Sequence, residues 1–252
     1  QGDTDHVPHG GGTMASRSLQ IAGSAVLTAG RRALHKARSV YAFHREAHLD
    51  DVVQFDDGRI GVVGVPDSGM TLGEIAVIAA DPSNLPEDME PGLRGEDTWE
   101  QDEATFPFGT HVSVVEVDTE TGDVRVVRHV ACDDAGVIFN RLVVDGQVHG
   151  GIAQGIGQAL LEEFIYDDNG PTTGNLTTYL IPTAGTFPLF TVAHTETPTD
   201  QNPLGAKGIG EAGTIGSTPA VVNAVIDALA PFGVRDLTTP LTPHRVWAAI
   251  NG

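Results

Sequence analysis

Apolar and polar residues change period several times along this chain, and each change predicts an element. From Thr13 to about Tyr41, Leu19, Ala22, Val26, Ala29, Ala33 and Ala37 recur at helical spacing. Ser16 or Ser18 is the expected cap, and Arg31, Arg32, Lys36 and Arg38 gather toward the negative end of the helix dipole. Val52–Phe55 and Arg59–Val63 flank Asp56-Asp57-Gly58 and read as a hairpin. Thr71 followed by Glu74 marks a capped helix running to Ala80. The stretch 81–105 carries Pro82, Pro86 and Pro91 among many acids and reads as a long surface loop.

Beyond Gly109 the period becomes two. His111–Asp118 and Asp123–Val130 alternate around Thr119-Glu120-Thr121-Gly122, a second hairpin. Further expectations are a glycine-rich helix over Asp145–Glu163 and short strands at Thr178–Ile181 and Thr191–His194. A polar glycine-rich loop should follow at Pro198–Ala212, then a helix over Thr218–Leu229 with Thr218 as cap and Pro219 at its first position, and a last helix at Pro243–Ile250. The order predicts an α+β fold of mixed sheets with packed helices, in two subdomains, 1–106 and 107–252.

Composition narrows the function classes. Hydrophobic residues are 40% of the 252, enough for a packed core. A formal charge of -20 argues against nucleic acid and anionic lipid as partners. Cys132 is alone, so neither an internal disulfide nor a cysteine zinc site is expected. The apolar stretch Ile21–Ala29 is too short for a membrane span, no secretion signal is read, and a cytoplasmic location is expected. A start at Gln1 rather than Met suggests a processed subunit, a fragment or a shortened chain.

Three small-residue segments are candidates for chemistry. Gly12-Thr13-Met14-Ala15-Ser16-Arg17-Ser18 combines hydroxyls, a helix start and a guanidinium, a set suited to an anion, although an ordinary capped helix would look similar. Asp145–Gly157 places Gln147, His149 and Gln154 among recurring glycines. Close helix packing and close approach of a flat ligand explain that density equally well. In Gly205-Ala206-Lys207-Gly208-Ile209-Gly210-Glu211-Ala212-Gly213 one carboxylate sits in a collar of minimal side chains. In a dry pocket Glu211 would be partly desolvated and suited to general-base work; in a flexible loop it would be solvated. His6, His9, His149 and His194 lack metal-ligand spacing.

Taken in order, these segments resemble the xanthine dehydrogenase and aldehyde oxidase family of molybdenum hydroxylases, nearest the branch that includes carbon monoxide dehydrogenase large subunits. The resemblance rests on Gly2-Asp3-Thr4-Asp5, Gly12–Ser18, Phe108-Gly109-Thr110-His111, Val115–Asp118, Gly146–Gly151, Gln154–Gly157 and Asn202–Glu211. It implies the C-terminal, cofactor-holding part of the large subunit, in which a molybdopterin-type domain of the α+β class is expected. Ala15, Ser16, Arg17, Ser18 and Gln147 would hold the pterin and its phosphate, in the cytosine dinucleotide form. Lys207 and Gly208 would shape the loop of Glu211, the base beside the metal that takes up a proton as water-derived oxygen attacks the substrate carbon. The pterin rather than the protein would ligate molybdenum, so no protein metal ligand is expected. Substrates of the family span aldehydes, N-heterocycles and carbon monoxide. The resemblance further implies hetero-oligomeric partners: an N-terminal large-subunit portion, an iron–sulfur subunit and an FAD subunit, because this chain lacks cluster ligands. A non-catalytic pterin-binding or assembly module of the same fold is the alternative.

Overall fold

The structure, a computed structural model, describes residues 3–5 and 11–252. Gly2, His6 and His9 lie outside the described residues. The chain divides into two compact units: Ile21–Glu100, and Gln101–Gly252 joined by the described residues up to Gln20. A single cut near residue 107 therefore differs from the observed division, because the segment carrying Thr13 to Ser18 groups with the larger unit.

A π-helical turn, Leu19–Gly23, leads into α1 (Ser24–His44) of the smaller unit. The helix cannot start at Ser16, because Ala15 and Ser16 both take left-handed backbone angles. The hairpin β1 (Val52–Gln54) and β2 (Ile60–Val62) is antiparallel as expected. α2 (Leu72–Ala79) starts at a reciprocal box: the Thr71 hydroxyl accepts from the Glu74 amide at 3.2 Å, and the Thr71 amide donates to Glu74 Oε2 at 2.7 Å. Ala37, Val40 and Tyr41 of α1 bury against Val52, Ile60, Ile75 and Ala79.

The larger unit is built on a three-stranded sheet. β3 (Phe108–Val117) and β4 (Val124–Asp134) form the antiparallel hairpin, with a bulge between Val114 and Val115. After α3 (Arg141–Leu160) comes a small ribbon, β5 (Tyr166–Asp167) and β6 (Gly170–Pro171). β7 (Thr191–Thr195) then pairs parallel to β4. α4 (Ala212–Leu229) packs on α3 and β3, and α5 (Pro243–Asn251) closes the chain. Val148, Ile152 and Ile156 of α3 meet Val221, Val225 and Leu229 of α4 in the core.

Several boundaries move for identifiable reasons. α3 begins at Arg141 rather than Asp145, because Asn140 Oδ1 accepts from the Val143 amide at 3.2 Å and caps it. α4 begins at Ala212, so Thr218 and Pro219 lie inside it rather than at its start. Thr218 spends its hydroxyl on the Thr214 carbonyl, at 3.0 Å, instead of capping. Thr178–Ile181 is not a strand: Asn175 captures the Thr177, Thr178 and Tyr179 amides in a turn. By length and composition alone, Ala212–Phe232 would suffice to cross a membrane. Its apolarity has a local cause here, since Val221, Val225 and Leu229 are fully buried against α3.

Four glycines of α3 divide into two sets. A Cβ on Gly151 would lie 2.9 Å from the Gly213 Cα, and one on Gly155 would lie 2.0 Å from Ser217 Oγ, so these two let α3 and α4 touch. Gly146 and Gly150 face open space, where helix packing demands nothing. Gly155→Ala is therefore expected to cost about 1–3 kcal/mol through overpacking. Gly150→Ala is expected to be neutral or to gain up to about 1 kcal/mol. Thermal unfolding of both variants checks this; equal shifts would refute the division.

Candidate cofactor site

All three candidate segments meet inside the larger unit. Ala15 and Ser16 have φ of 52° and 55°, an arrangement that non-glycine residues hold only when their surroundings impose it. The imposing surface is the loop before α4. A Cβ on Gly208 would sit 2.7 Å from the Ala15 carbonyl oxygen, and one on Gly210 would sit 2.9 Å from Ser16 Oγ and 3.1 Å from Gln147 Oε1. At Gly208 the atom met is backbone, so any side chain there would force the two segments apart. The Ser16 hydroxyl donates to Glu211 Oε2 at 3.0 Å, joining residues 195 apart in sequence.

That loop is held firmly. The buried Asn202 side chain bridges it, donating to the Ala206 carbonyl at 2.9 Å and accepting from the Ala206 amide at 3.2 Å. The Lys207 amide donates to the Ala135 carbonyl at 2.8 Å. Lys207 Nζ reaches Asp134 Oδ1 at 2.9 Å and stands 4.7 Å from the Phe108 ring centre, with 8% and 0% of the two charged side chains exposed. Burial alone would push the Asp134 carboxyl upward. Bonds from Lys207, the Gly136 amide, Thr197 and Thr195 outweigh it and hold the pKa at about 2, against an ordinary 3.8.

The loop, the Ser16 turn and the start of α3 enclose a cavity of about 400 Å³, whose polar lining includes Thr13, Ser16, Ser18, Asn140, Gln147 and Lys207. A volume of that size suits a small-molecule or cofactor group. Thr13 and Ser18 hydroxyls are hydrogen-bonded to each other at its edge. Ala15 and Gly208 back the wall rather than line it. Arg17 is directed toward the Gly11 carbonyl, 3.5 Å away.

Glu211 differs from the desolvated acid anticipated from its glycine collar. It is exposed in this chain, at the first-turn end of α4, with its carboxylate held by Ser16. The flanking glycines serve the contact with Ser16 and Gln147 rather than burying the acid. Two contributors were not singled out from sequence: Asn140, which both caps α3 and lines the cavity, and Asp134, which anchors Lys207. An Asn just ahead of an apolar-periodic run was the available signal for the first; nothing local marks the second. Among the described residues no three His, Cys, Asp or Glu side chains cluster as a metal site. His194 Nε2 instead bonds Asp145 at 2.6 Å, and His149 stacks at a tilt beside Phe190.

A hydroxyl-and-amide cradle with an acid at its rim defines a cofactor-holding domain, and comparison with known proteins specifies the kind. The profile of the molybdopterin cofactor-binding domain matches residues 1–188. The carbon monoxide dehydrogenase large chain of Hydrogenophaga pseudoflava is 37% identical over all of this chain and 31% of its own length. The nicotine 6-hydroxylase large subunit of Paenarthrobacter nicotinovorans is 38% identical over 97% of this chain and 30% of its own. The quinoline 2-oxidoreductase structure from Pseudomonas putida 86 superposes with a TM-score of 0.88 at 36% identity, covering 96% of this chain and 31% of that one. The chain belongs to the molybdopterin cofactor-binding domain family of molybdenum-hydroxylase-type oxidoreductases. It spans about 31% of the length of such a curated relative.

The Lys207–Asp134 pair sets a measurable pH dependence. Because the folded-state pKa of Asp134 lies below its ordinary value, its contribution is complete above about pH 4 and is lost as pH falls toward 2. Lys207→Met strands a buried carboxylate and is expected to cost about 3–5 kcal/mol at neutral pH. Denaturant titrations should show that gap narrowing as pH falls, beginning above the ordinary carboxylate value because burial without Lys207 raises the stranded acid, and closed near pH 2. A gap that does not vary with pH would refute the pairing as its source.

Proposed function

We propose that this chain is the molybdopterin-holding part of a molybdenum hydroxylase large subunit that oxidises a carbon centre with water-derived oxygen. One observation carries the reading. The Ser16 turn, Gln147 and the Gly208–Glu211 loop, remote in sequence, converge on one cavity with Ser16 bonded to Glu211.

The residues present fit such a group. Gly208 and Gly210 hold the loop against the Ser16 turn, and Gly146 and Gly150 leave open space beside Gln147. In this reading the hydroxyls of Ser16 and Ser18, the Arg17 guanidinium and the amides around Ala15 bind the phosphate of the pterin, in its cytosine dinucleotide form. The Gln147 amide meets the heterocycle edge, and Lys207 with Gly208 keeps the loop in place. When bound, the molybdenum centre supplies two-electron redox chemistry. Glu211 receives the proton released as the substrate carbon is attacked, and Ser16 orients the carboxylate by donating to one of its oxygens.

An exposed acid is a weak base at neutral pH, so this role requires Glu211 to be covered in the working assembly. An N-terminal large-subunit portion would provide that cover, and iron–sulfur and FAD subunits would carry electrons onward. The similarity to a nicotine 6-hydroxylase and a carbon monoxide dehydrogenase favours a small C–H or CO substrate.

Glu211→Gln in the assembled enzyme is expected to lower turnover by roughly 10²–10⁴-fold while molybdenum and pterin contents stay unchanged. Metal analysis and steady-state rates on one preparation check it. Turnover near that of the parent would remove Glu211 from the chemistry and leave a cofactor-binding or assembly module.

A further inference from the structure

Asp133 is a buried acid whose described hydrogen-bond partner is one histidine ring. Its side chain is 4% exposed, and His111 Nε2 stands 3.2 Å from both carboxylate oxygens. Lys207 serves the next residue instead: it pairs with Asp134, and neighbours along a strand point to opposite faces. Behind His111 the bonds continue in a row. Ser113 Oγ lies 2.7 Å from His129 Nδ1, and His129 Nε2 lies 3.3 Å from His111 Nδ1. Burial first, then the neighbouring His111, lowers the pKa of His129 to about 4 against a partial pull from Asp133, so that ring is neutral. With Ser113 donating to it, His129 carries its proton on Nε2 and gives it to His111 Nδ1. His111 in turn donates from Nε2 to Asp133. The donors of this row all point at Asp133, and none of them brings it a positive charge.

A cavity of about 140 Å³ lies beside this carboxylate, walled by Asp133, His111, Phe108, Ala212, Ile215 and Gly216. Two glycines keep that region clear. A Cβ on Gly109 would lie 2.1 Å from Asp133 Oδ1, and one on Gly216 would lie 2.6 Å from the His111 ring. A carboxylate offers about four acceptor positions on its two oxygens, and one shared N–H leaves most of them unfilled. An acid buried without a countercharge is costly. Among the described residues no three His, Cys, Asp or Glu side chains gather as a metal site, so the donor set does not suit a metal ion. A guanidinium suits it: a planar cation whose parallel N–H groups match the two oxygens of a carboxylate. The cavity has room for roughly four waters at about 30 Å³ each, and a guanidinium, with as many heavy atoms, fills the same room. Phe108 adds an aromatic wall on which such a cation stacks. Phe108 and Ile215 are also exposed, as is Phe106 beside them in sequence. A desolvated acid inside an apolar rim is the pattern of an anchor pocket in a protein interface.

We propose that this pocket receives the guanidinium of an arginine from the N-terminal portion of the large subunit, which docks over the start of α4 and pairs with Asp133. The proposal rests on the hydroxylase reading, in which that portion covers Glu211. Glu211 directly precedes Ala212, and Ala212, Ile215 and Gly216 wall the pocket, so a body that covers the acid also reaches the pocket mouth. This chain spans 31% of the length of the carbon monoxide dehydrogenase large chain to which it is similar, and the rest of such a subunit is the source of the arginine. Charge favours the encounter, because 34 acidic side chains against 14 basic ones give this chain a formal charge of -20. Asp133 is a docking residue in this proposal, not a catalytic one.

Methylguanidinium is the probe, titrated calorimetrically into the full 252-residue chain, with urea as a neutral counterpart of similar shape. Methylguanidinium is expected to bind and urea is not, and Asp133→Asn is expected to weaken that binding about tenfold or more. Ile215→Trp should weaken it likewise by closing the mouth. That variant changes an exposed position and leaves the row from Ser113 to Asp133 intact, so a folding defect in Asp133→Asn does not decide the matter. In the assembled holoenzyme the arginine fills the pocket, and the probe should no longer bind. There Asp133→Asn should speed amide hydrogen exchange at Ala212–Gly216 about tenfold, with no such change in the chain alone. No binding to the chain, binding matched by urea, or binding indifferent to both variants would leave a water-filled cavity and overturn the proposal. Probe binding to the holoenzyme as tight as to the chain would give the pocket to a free small cation and overturn it as well. Glu211→Gln separates the two claims. A dead Glu211 variant beside an open pocket in the holoenzyme sinks the docking arginine alone, and parent-like turnover beside a pocket closed on assembly sinks the Glu211 role alone.

Discussion

Everything at the site depends on one buried ion pair. Lys207 and Asp134 lie almost wholly out of water, and each would be costly there without the other. Asp134 ends a strand of the central sheet, while Lys207 sits in a loop with no regular structure of its own. Their pairing ties that loop to the central sheet. Thr195 from the parallel neighbour β7 adds a second anchor by donating to Asp134 Oδ2 at 3.0 Å. From this fixed point the chain runs through Gly208 and Gly210, contacts the Ser16 turn, and enters α4 at Glu211.

The Ser16 turn shows the consequence. Two successive left-handed residues, neither of them glycine, are unfavourable in isolation. They persist because the glycine loop leaves room for the Ala15 carbonyl and the Ser16 side chain and no more. Backbone strain on one side is matched by absent side chains on the other. The same division of labour recurs where α3 meets α4, through Gly151 and Gly155, and where α4 meets the sheet, through Gly216 and His111. Glycine in this unit mostly marks contact between elements rather than flexibility.

Polar groups placed inside this fold are spent on neighbours from distant segments. Thr214 bonds a carbonyl of α3, and His194 reaches Asp145 across to α3. Such bonds add modest net stability each, but leaving any of them unmade in the interior would cost more. They select one arrangement of helices and loop among many that the apolar core alone would accept.

Local rules were enough for much of the fold. The period-two alternation of His111–Asp118 and Asp123–Val130, the Thr71–Glu74 box and the apolar face of Val221, Val225 and Leu229 each report short-range physics, and the matching hairpin and helices formed. The residues crowded near the cavity were also legible as unusual, because glycines and hydroxyls at that density have no local rationale. What sequence left open was decided by contacts between segments far apart. Whether α3's glycines served packing or ligand space depended on where α4 lay, and the answer was both, at different positions. Whether Glu211 was dry depended on what covers it, and in this chain only Ser16 reaches its carboxylate among the hydrogen bonds described. Composition and periodicity encode each element's own preferences; burial, ion pairing and backbone strain are properties of neighbours, and neighbours exist only once the chain has folded.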